Sequence, residues 1–219
     1  MESDAPMDTC HAGGRCCNNN KFIVFADFGG STIFNPASNG NLALGSASGV
    51  TWAVSWQMAH EFKTKCKGTR LFLSAGLELR NFNGLLTTDD GFGSSAYDNY
   101  HLWYAGVPVM FQVVSVKHKT GNFHDVGFYA QAAMSVDFKV DMLDVYSIQG
   151  NNSWNDVGVH YTNVMLHDYA SVGVAYKTKY NTFLLGPYLG YVLTNISKDD
   201  GVTQNVFSYG ARLSVLLFR

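Results

Sequence analysis

Few of the residues able to do acid–base or nucleophilic chemistry in this 219-residue chain share a face. The seven histidines are His11, His60, His101, His118, His124, His160 and His167. No two of them share a strand face at a metal-ligand spacing, so each reads as an interfacial or loop side chain. Nucleophilic catalysis needs a nucleophile and a base within hydrogen-bond reach, oriented by a third group. His60 falls on the apolar face of its tract, Ser55 falls on the opposite face, and no acid accompanies His60. Asp89-Asp90 and Asp199-Asp200-Gly201 lack the ligand spacing of a calcium loop and read as solvated loop acids. The net charge is −2 and basic residues do not interleave with aromatics, which argues against nucleic acid as a partner. The expectation is a chain with no catalytic residue, no cofactor and no bound metal.

Six charged residues form a different pattern. Glu61, Glu78, Arg80, Asp137, Lys139 and Arg212 all occupy the small, polar face of alternating tracts. Acids and bases on one face suit pairing with each other rather than work on a substrate. The cysteines are Cys10, Cys16, Cys17 and Cys66. In an oxidising compartment they read as disulfide partners, and a bridge from Cys66 to Cys10, Cys16 or Cys17 is expected. A free-thiol count of four in denaturant without reductant would refute it.

The elements that must position these residues are strands. Trp52, Val54, Trp56, Met58, His60 and Phe62 alternate with Thr51, Ala53, Ser55, Gln57, Ala59, Glu61 and Lys63. A period of two over that length is a strand with two unlike faces. Similar tracts predict eight strands, near Lys21–Ser31, Gly49–Lys63, Thr69–Phe82, Tyr100–Val116, Phe123–Val140, Asn163–Lys177, Thr182–Asn195 and Thr203–Phe218. Antiparallel strands of roughly 9–11 residues are what a bilayer-spanning barrel needs. No apolar run reaches the ~18 residues of a membrane helix. Charged residues make up 15% of the chain, too few to clothe an ordinary soluble surface, where ~25% is usual. Short turns at Thr64–Gly68, Lys117–Asn122 and Thr178–Asn181 alternate with long connections at Thr32–Ser48, Asn83–Asn99, Asp141–Thr162 and Ile196–Val202. In outer-membrane barrels short turns are periplasmic, so with an even strand count both termini are expected there.

The polar face decides between a membrane barrel and a soluble one. Phe72, Ser74, Gly76, Glu78 and Arg80, then Gly127, Tyr129, Gln131, Ala133, Ser135, Asp137 and Lys139, then Ser208, Gly210, Arg212 and Ser214 mix glycine and serine with scattered ions of both signs. Such a set suits the narrow lumen of an eight-stranded barrel, where a charge must be paired. Leu71, Leu77, Val107, Phe111, Met134, Leu185 and Leu213 are expected to meet lipid. Aromatics collect near strand ends, with Trp52, Trp103, Phe138, Tyr191, Phe207 and Tyr209 on the long-loop side and Phe62, Phe128, Tyr176 and Phe183 on the short-turn side. These are the expected interfacial girdles. Pro108 and Pro187 fall inside strands, where a bulge or local twist is expected.

Tyr104-Ala105-Gly106-Val107-Pro108-Val109 resembles the Tyr-x-x-Ile/Val-Pro-Leu element of the Bacteroidetes-type outer-membrane β-barrel domain, the family that includes the barrel associated with type IX secretion. Val172-Gly173-Val174-Ala175-Tyr176 resembles its Gly-x-Gly-Tyr strand, and Gly186-Pro187-Tyr188-Leu189-Gly190-Tyr191 is similar to its seventh strand. The resemblance covers about Lys21–Arg219 and implies an exported barrel of about eight strands with no catalytic residues to carry over. Two positions depart from it. Gly106 stands where the family usually has an acid, and the chain ends Leu217-Phe218-Arg219 rather than on an outward aromatic.

The reading is therefore all-β: a transmembrane, antiparallel, up-and-down barrel over 21–219, preceded by a flexible periplasmic extension over 1–20. That extension has no apolar core, so it is not read as a signal peptide; an exported chain would then be a processed form. The expected setting is the bacterial outer membrane, with outer-membrane lipid and other envelope proteins as partners. The expected role is a structural or accessory subunit with a filled lumen. Surface recognition through the long loops is the alternative, and a lipid A-modifying enzyme is a weaker one.

Overall fold

The computed structural model describes residues 20–38, 43–44, 47–62, 64, 68–89, 95–116, 125–140, 145–149, 161–178, 180–196 and 202–217. Eight long strands make the barrel: β1 (Asn20–Ser38), β3 (Ala47–Phe62), β4 (Thr69–Asp89), β5 (Ser95–Val116), β6 (Asp125–Lys139), β8 (Val164–Lys177), β9 (Asn181–Val192) and β10 (Val202–Leu217). Each pairs antiparallel with its neighbours in chain order, and β10 returns to pair with β1 along nearly its full length. That last ladder closes the cylinder and removes the open edges a flat sheet would expose. The fold is thus the expected up-and-down barrel of eight strands. Two short strands, β2 (Ala43–Leu44) and β7 (Val145–Gln149), add to the outer ends of β4 and β5.

The short-turn rim is held by local hydrogen bonds. Gly68 adopts φ +84, and its carbonyl accepts from the Val116 amide at 2.8 Å. A side chain there would also run into the Val116 carbonyl, so glycine is required on two counts. At the β8–β9 turn the Thr178 amide donates to the Asn181 carbonyl at 2.8 Å.

The two strand prolines do not produce bulges. The β4–β5 register is the same on both sides of Pro108, from Ala75↔Val109 to Glu78↔Gly106, with two pairs simply missing between. The β8–β9 register likewise runs from Ser171↔Tyr188 to Val174↔Leu185 across Pro187. Each proline keeps its pairing on the other flank, to Ser135 and to Ala211. A missing N–H weakens only one of the two ladders, so no extra residue is needed. A register shift does occur in β1, between Phe34 and Ala37, near the long-loop rim.

The lumen is filled in three layers. Toward the short turns, Ile23, Phe72, Met110, Val114, Tyr129, Leu184 and Leu216 pack as one apolar cluster. Toward the long loops, Ile33, Phe82, Leu102, Tyr104, Tyr161, Met165, Val192, Ile196 and Val206 pack as another. Between them lies a polar layer that includes Asp27, Glu78, Arg80, Asp137, His167, Ser208 and Arg212, all buried.

Candidate functional site

Arg212 is the centre of the polar layer. Its Nε and one terminal nitrogen donate to the two carboxylate oxygens of Asp27, each at 2.5 Å. This two-pronged pairing is the strongest geometry an arginine offers a carboxylate. The guanidinium also lies 4.0 Å from the Phe25 ring centroid and 4.2 Å from that of Tyr169, so aromatic rings replace the water it gave up. Arg80 sits beside it, donating to Glu78 Oε1 at 2.7–2.8 Å and approaching Asp27 at 3.4 Å. Asp137 accepts a hydrogen bond from Ser135. Its carboxylate occupies the space that a side chain on Gly106 would fill.

The six sequence-selected ions separate into different places. Glu78, Arg80, Asp137 and Arg212 lie in the buried layer. Glu61 does not join them. It is at the short-turn rim, where Arg70 grips both its oxygens at 2.6 Å and Lys21 forms a second ion pair. Its place near the end of β3 puts it beyond the reach of the mid-lumen arginines. Lys139 ends β6 opposite Tyr104, one lumen position nearer the long-loop rim than Asp137.

Two members of the layer escaped the sequence reading. Asp27 was masked because both faces of β1 are apolar around it, with Ile23 and Phe25 inward and Val24 and Phe28 outward. His167, read as an interfacial or loop residue, is instead fully buried in the lumen. Its ring packs edge-on to Phe82 at 6.4 Å and against Tyr169 at 5.5 Å. Tract β8 carries a polar residue on each face there, so alternation could not orient it. The neighbouring Asp168 takes the outward parity, across from Met134 and Tyr191. An acid therefore does stand on the lipid-facing side, contrary to the reading from sequence. It lies on β8 and His60 on β3, which three strands separate in the sheet order, so the two make no catalytic pair.

The exterior is apolar on every barrel strand. Phe28, Trp56, Leu77, Val109, Phe128, Val172, Leu185 and Leu213 all point outward, with Phe128 as much as 73% exposed. The girdle residues Phe62, Phe128, Phe138, Tyr176, Phe183 and Tyr209 are exposed, and Trp52, Trp103, Tyr191 and Phe207 are half-buried against neighbours. Trp52 and Trp103 meet edge-to-face at 5.0 Å. Asn81 pairs with both and falls between them on the outer parity, yet is only 1% exposed, so the indoles shield its amide from lipid. His60 faces outward beside Phe62 at 5.2 Å, as expected of an interfacial histidine. Cys10, Cys16, Cys17 and Cys66 lie outside the described residues, as do the chain before Asn20 and the Phe218–Arg219 end.

A closed ladder whose buried ions point inward and whose exterior, Asp168 apart, is greasy defines an integral membrane β-barrel of the outer-membrane type. No family model matches the chain, and no curated protein matches it. Among solved structures the chain is similar to the crystal structure of Neisserial surface protein A (NspA), with 14% identity over 88% of this chain and 96% of that one, at a TM-score of 0.38. It is also similar to Ail, the attachment invasion locus protein of Yersinia pestis, solved in complex with the heparin analogue sucrose octasulfate. There the identity is 10% over 90% of this chain and 99% of that one, at a TM-score of 0.28. The class assignment rests on the closure of the sheet and on its apolar exterior.

Proposed function

We propose that this protein is a bacterial outer-membrane barrel with a sealed lumen, acting as a structural or accessory subunit of a larger envelope assembly, with its short turns and termini in the periplasm. The observation that carries this reading is the stack of two apolar layers enclosing a buried ionic one. A permeant solute would have to break both layers and the Arg212–Asp27 pair, so transport through the barrel is disfavoured. The role proposed is non-enzymatic; His60 on β3 and Asp168 on β8, both on the lipid face, are separated by three strands and do not form a catalytic pair. The Bacteroidetes-type family remains part of the proposal, on the strength of the Tyr104–Val109 and Gly186–Tyr191 elements.

A specific observation also favours recognition at the outer surface. Beyond the last β6 partner at Tyr104, β5 continues to Ser95, paired with β4 on one side and with β7 on the other. Nine residues at about 3.3 Å each carry this blade about 30 Å further along the strand. A projecting blade supplies surface for a binding partner without altering the barrel.

Planar-bilayer recording tests the first reading, and stable large conductance would overturn it. Affinity purification from native membranes in mild detergent identifies the assembly. Shortening the β4–β5 blade separates the two roles: loss of ligand or host binding with intact barrel folding favours recognition, whereas loss of co-purifying envelope proteins favours the subunit role.

A further inference from the structure

Three side chains in the polar layer each leave a buried atom without a hydrogen bond. Glu78 gives Oε1 to Arg80, but its Oε2 has no partner. Asp137 gives Oδ1 to Ser135, but its Oδ2 has none, and neither ring nitrogen of His167 is bonded. The three residues are 3%, 1% and 0% exposed, so water does not satisfy these atoms from outside. They also converge: one ligand atom from each lies within 4.8 Å of the others.

Two glycines make room for this convergence. A side chain at Gly106 would collide with the Asp137 carboxylate, and one at Gly190 would collide with the His167 ring. Charge points the same way. The layer holds three carboxylates, Asp27, Glu78 and Asp137, against two guanidiniums, Arg80 and Arg212. One negative charge is in excess, so the layer attracts a cation; a divalent ion takes it from −1 to +1 with His167 neutral.

We propose that Glu78, Asp137 and His167 form a site for one first-row divalent cation of the zinc or manganese class, taken up as the barrel closes. One imidazole nitrogen with two carboxylate oxygens is a mixed donor set that such ions accept, whereas calcium and magnesium favour oxygen-only shells. Arg80 holds the other oxygen of Glu78 and Ser135 the other oxygen of Asp137, which orients both carboxylates as outer partners of metal ligands do. The apolar layers above and below make exchange slow after folding, so the ion must enter before the lumen is sealed.

The test refolds the full chain from denaturant into detergent micelles with zinc or manganese present, or with EDTA. Folded barrel is recognised by the mobility difference between unheated and boiled samples. Afterwards all samples are washed in excess EDTA, which strips ions from solvent-accessible sites. Mass spectrometry then counts metal per folded chain. Retention of about one ion per chain is expected. His167→Gln and Asp137→Asn should retain at least about tenfold less, while Glu61→Gln at the rim retains the wild-type amount. Should both lumen variants fail to fold, cobalt(II) loaded into the wild-type barrel decides, through ligand-field bands and a paramagnetically shifted histidine. Wild-type barrel that folds with zinc or manganese present and yet holds no chelator-resistant metal would overturn the proposal and leave a shared proton as the balancing charge. Equal metal in the lumen variants, or cobalt with no histidine shift, would overturn it too.

Discussion

Replacing Arg212 with leucine removes the strongest polar contact in the lumen. The guanidinium makes two charge-assisted hydrogen bonds to Asp27 at 2.5 Å and lies against the rings of Phe25 and Tyr169. Asp27 would keep only Arg80, whose 3.4 Å approach is too long to replace the lost pair. Breaking one partner of a buried ion pair strands the other, and the expected cost is about 3–5 kcal/mol. Removing both charges in an Asp27→Leu/Arg212→Leu chain leaves the net charge of the layer unchanged and strands neither. The double variant is therefore expected within about 2 kcal/mol of wild type, with a coupling energy above about 2 kcal/mol. Urea titration in phospholipid vesicles, followed by the fluorescence of the four tryptophans and by the unheated gel band, measures Arg212→Leu, Asp27→Leu and the double variant. A loss below about 1 kcal/mol for Arg212→Leu, or additive losses in the double variant, would refute the reasoning.

Other perturbations probe the remaining layers. Leu77→Arg places a charge on the outer face of β4, where the side chain is 64% exposed. It should destabilise the barrel in vesicles by about 2–4 kcal/mol, and a neutral effect would contradict a lipid-facing exterior. Glu61→Gln loosens the partly exposed rim cluster with Arg70 and Lys21 and should cost about 1 kcal/mol or less. That cost should shrink as salt is raised, whereas the Arg212 effect should not respond. Gly106→Ala forces a methyl against the Asp137 carboxylate and should cost about 1–3 kcal/mol. Most of that cost should be recovered in a Gly106→Ala/Asp137→Ala chain; if it is not, the penalty comes from the Ser135 hydroxyl, which the methyl also meets, and not from Asp137.

The strand prolines mark a boundary of what alternation can reveal. A missing N–H predicts a local defect at Pro108 and Pro187. Whether the chain answers with a bulge or with a skipped pair depends on which neighbouring strand the nitrogen faces, and that is a property of the assembled sheet. The rim cluster has a similar lesson. Parity put Glu61 correctly on the inner face, but depth along the axis assigned it to Arg70 and Lys21 rather than to the central arginines.

What the sequence alone determined is the inside-out plan. Eight tracts with a period of two, small residues and ions on one face and bulky apolar groups on the other, admit a closed barrel in lipid and little else. Side-chain parity is a local property of the extended backbone, so it can be read without knowing any partner. Only the tertiary structure decided which charges meet. Asp27 and Arg212 are 185 residues apart and become neighbours because β10 closes onto β1. Glu78, Asp137 and His167 come from three strands, and their convergence depends on stagger around the cylinder, which no single tract encodes.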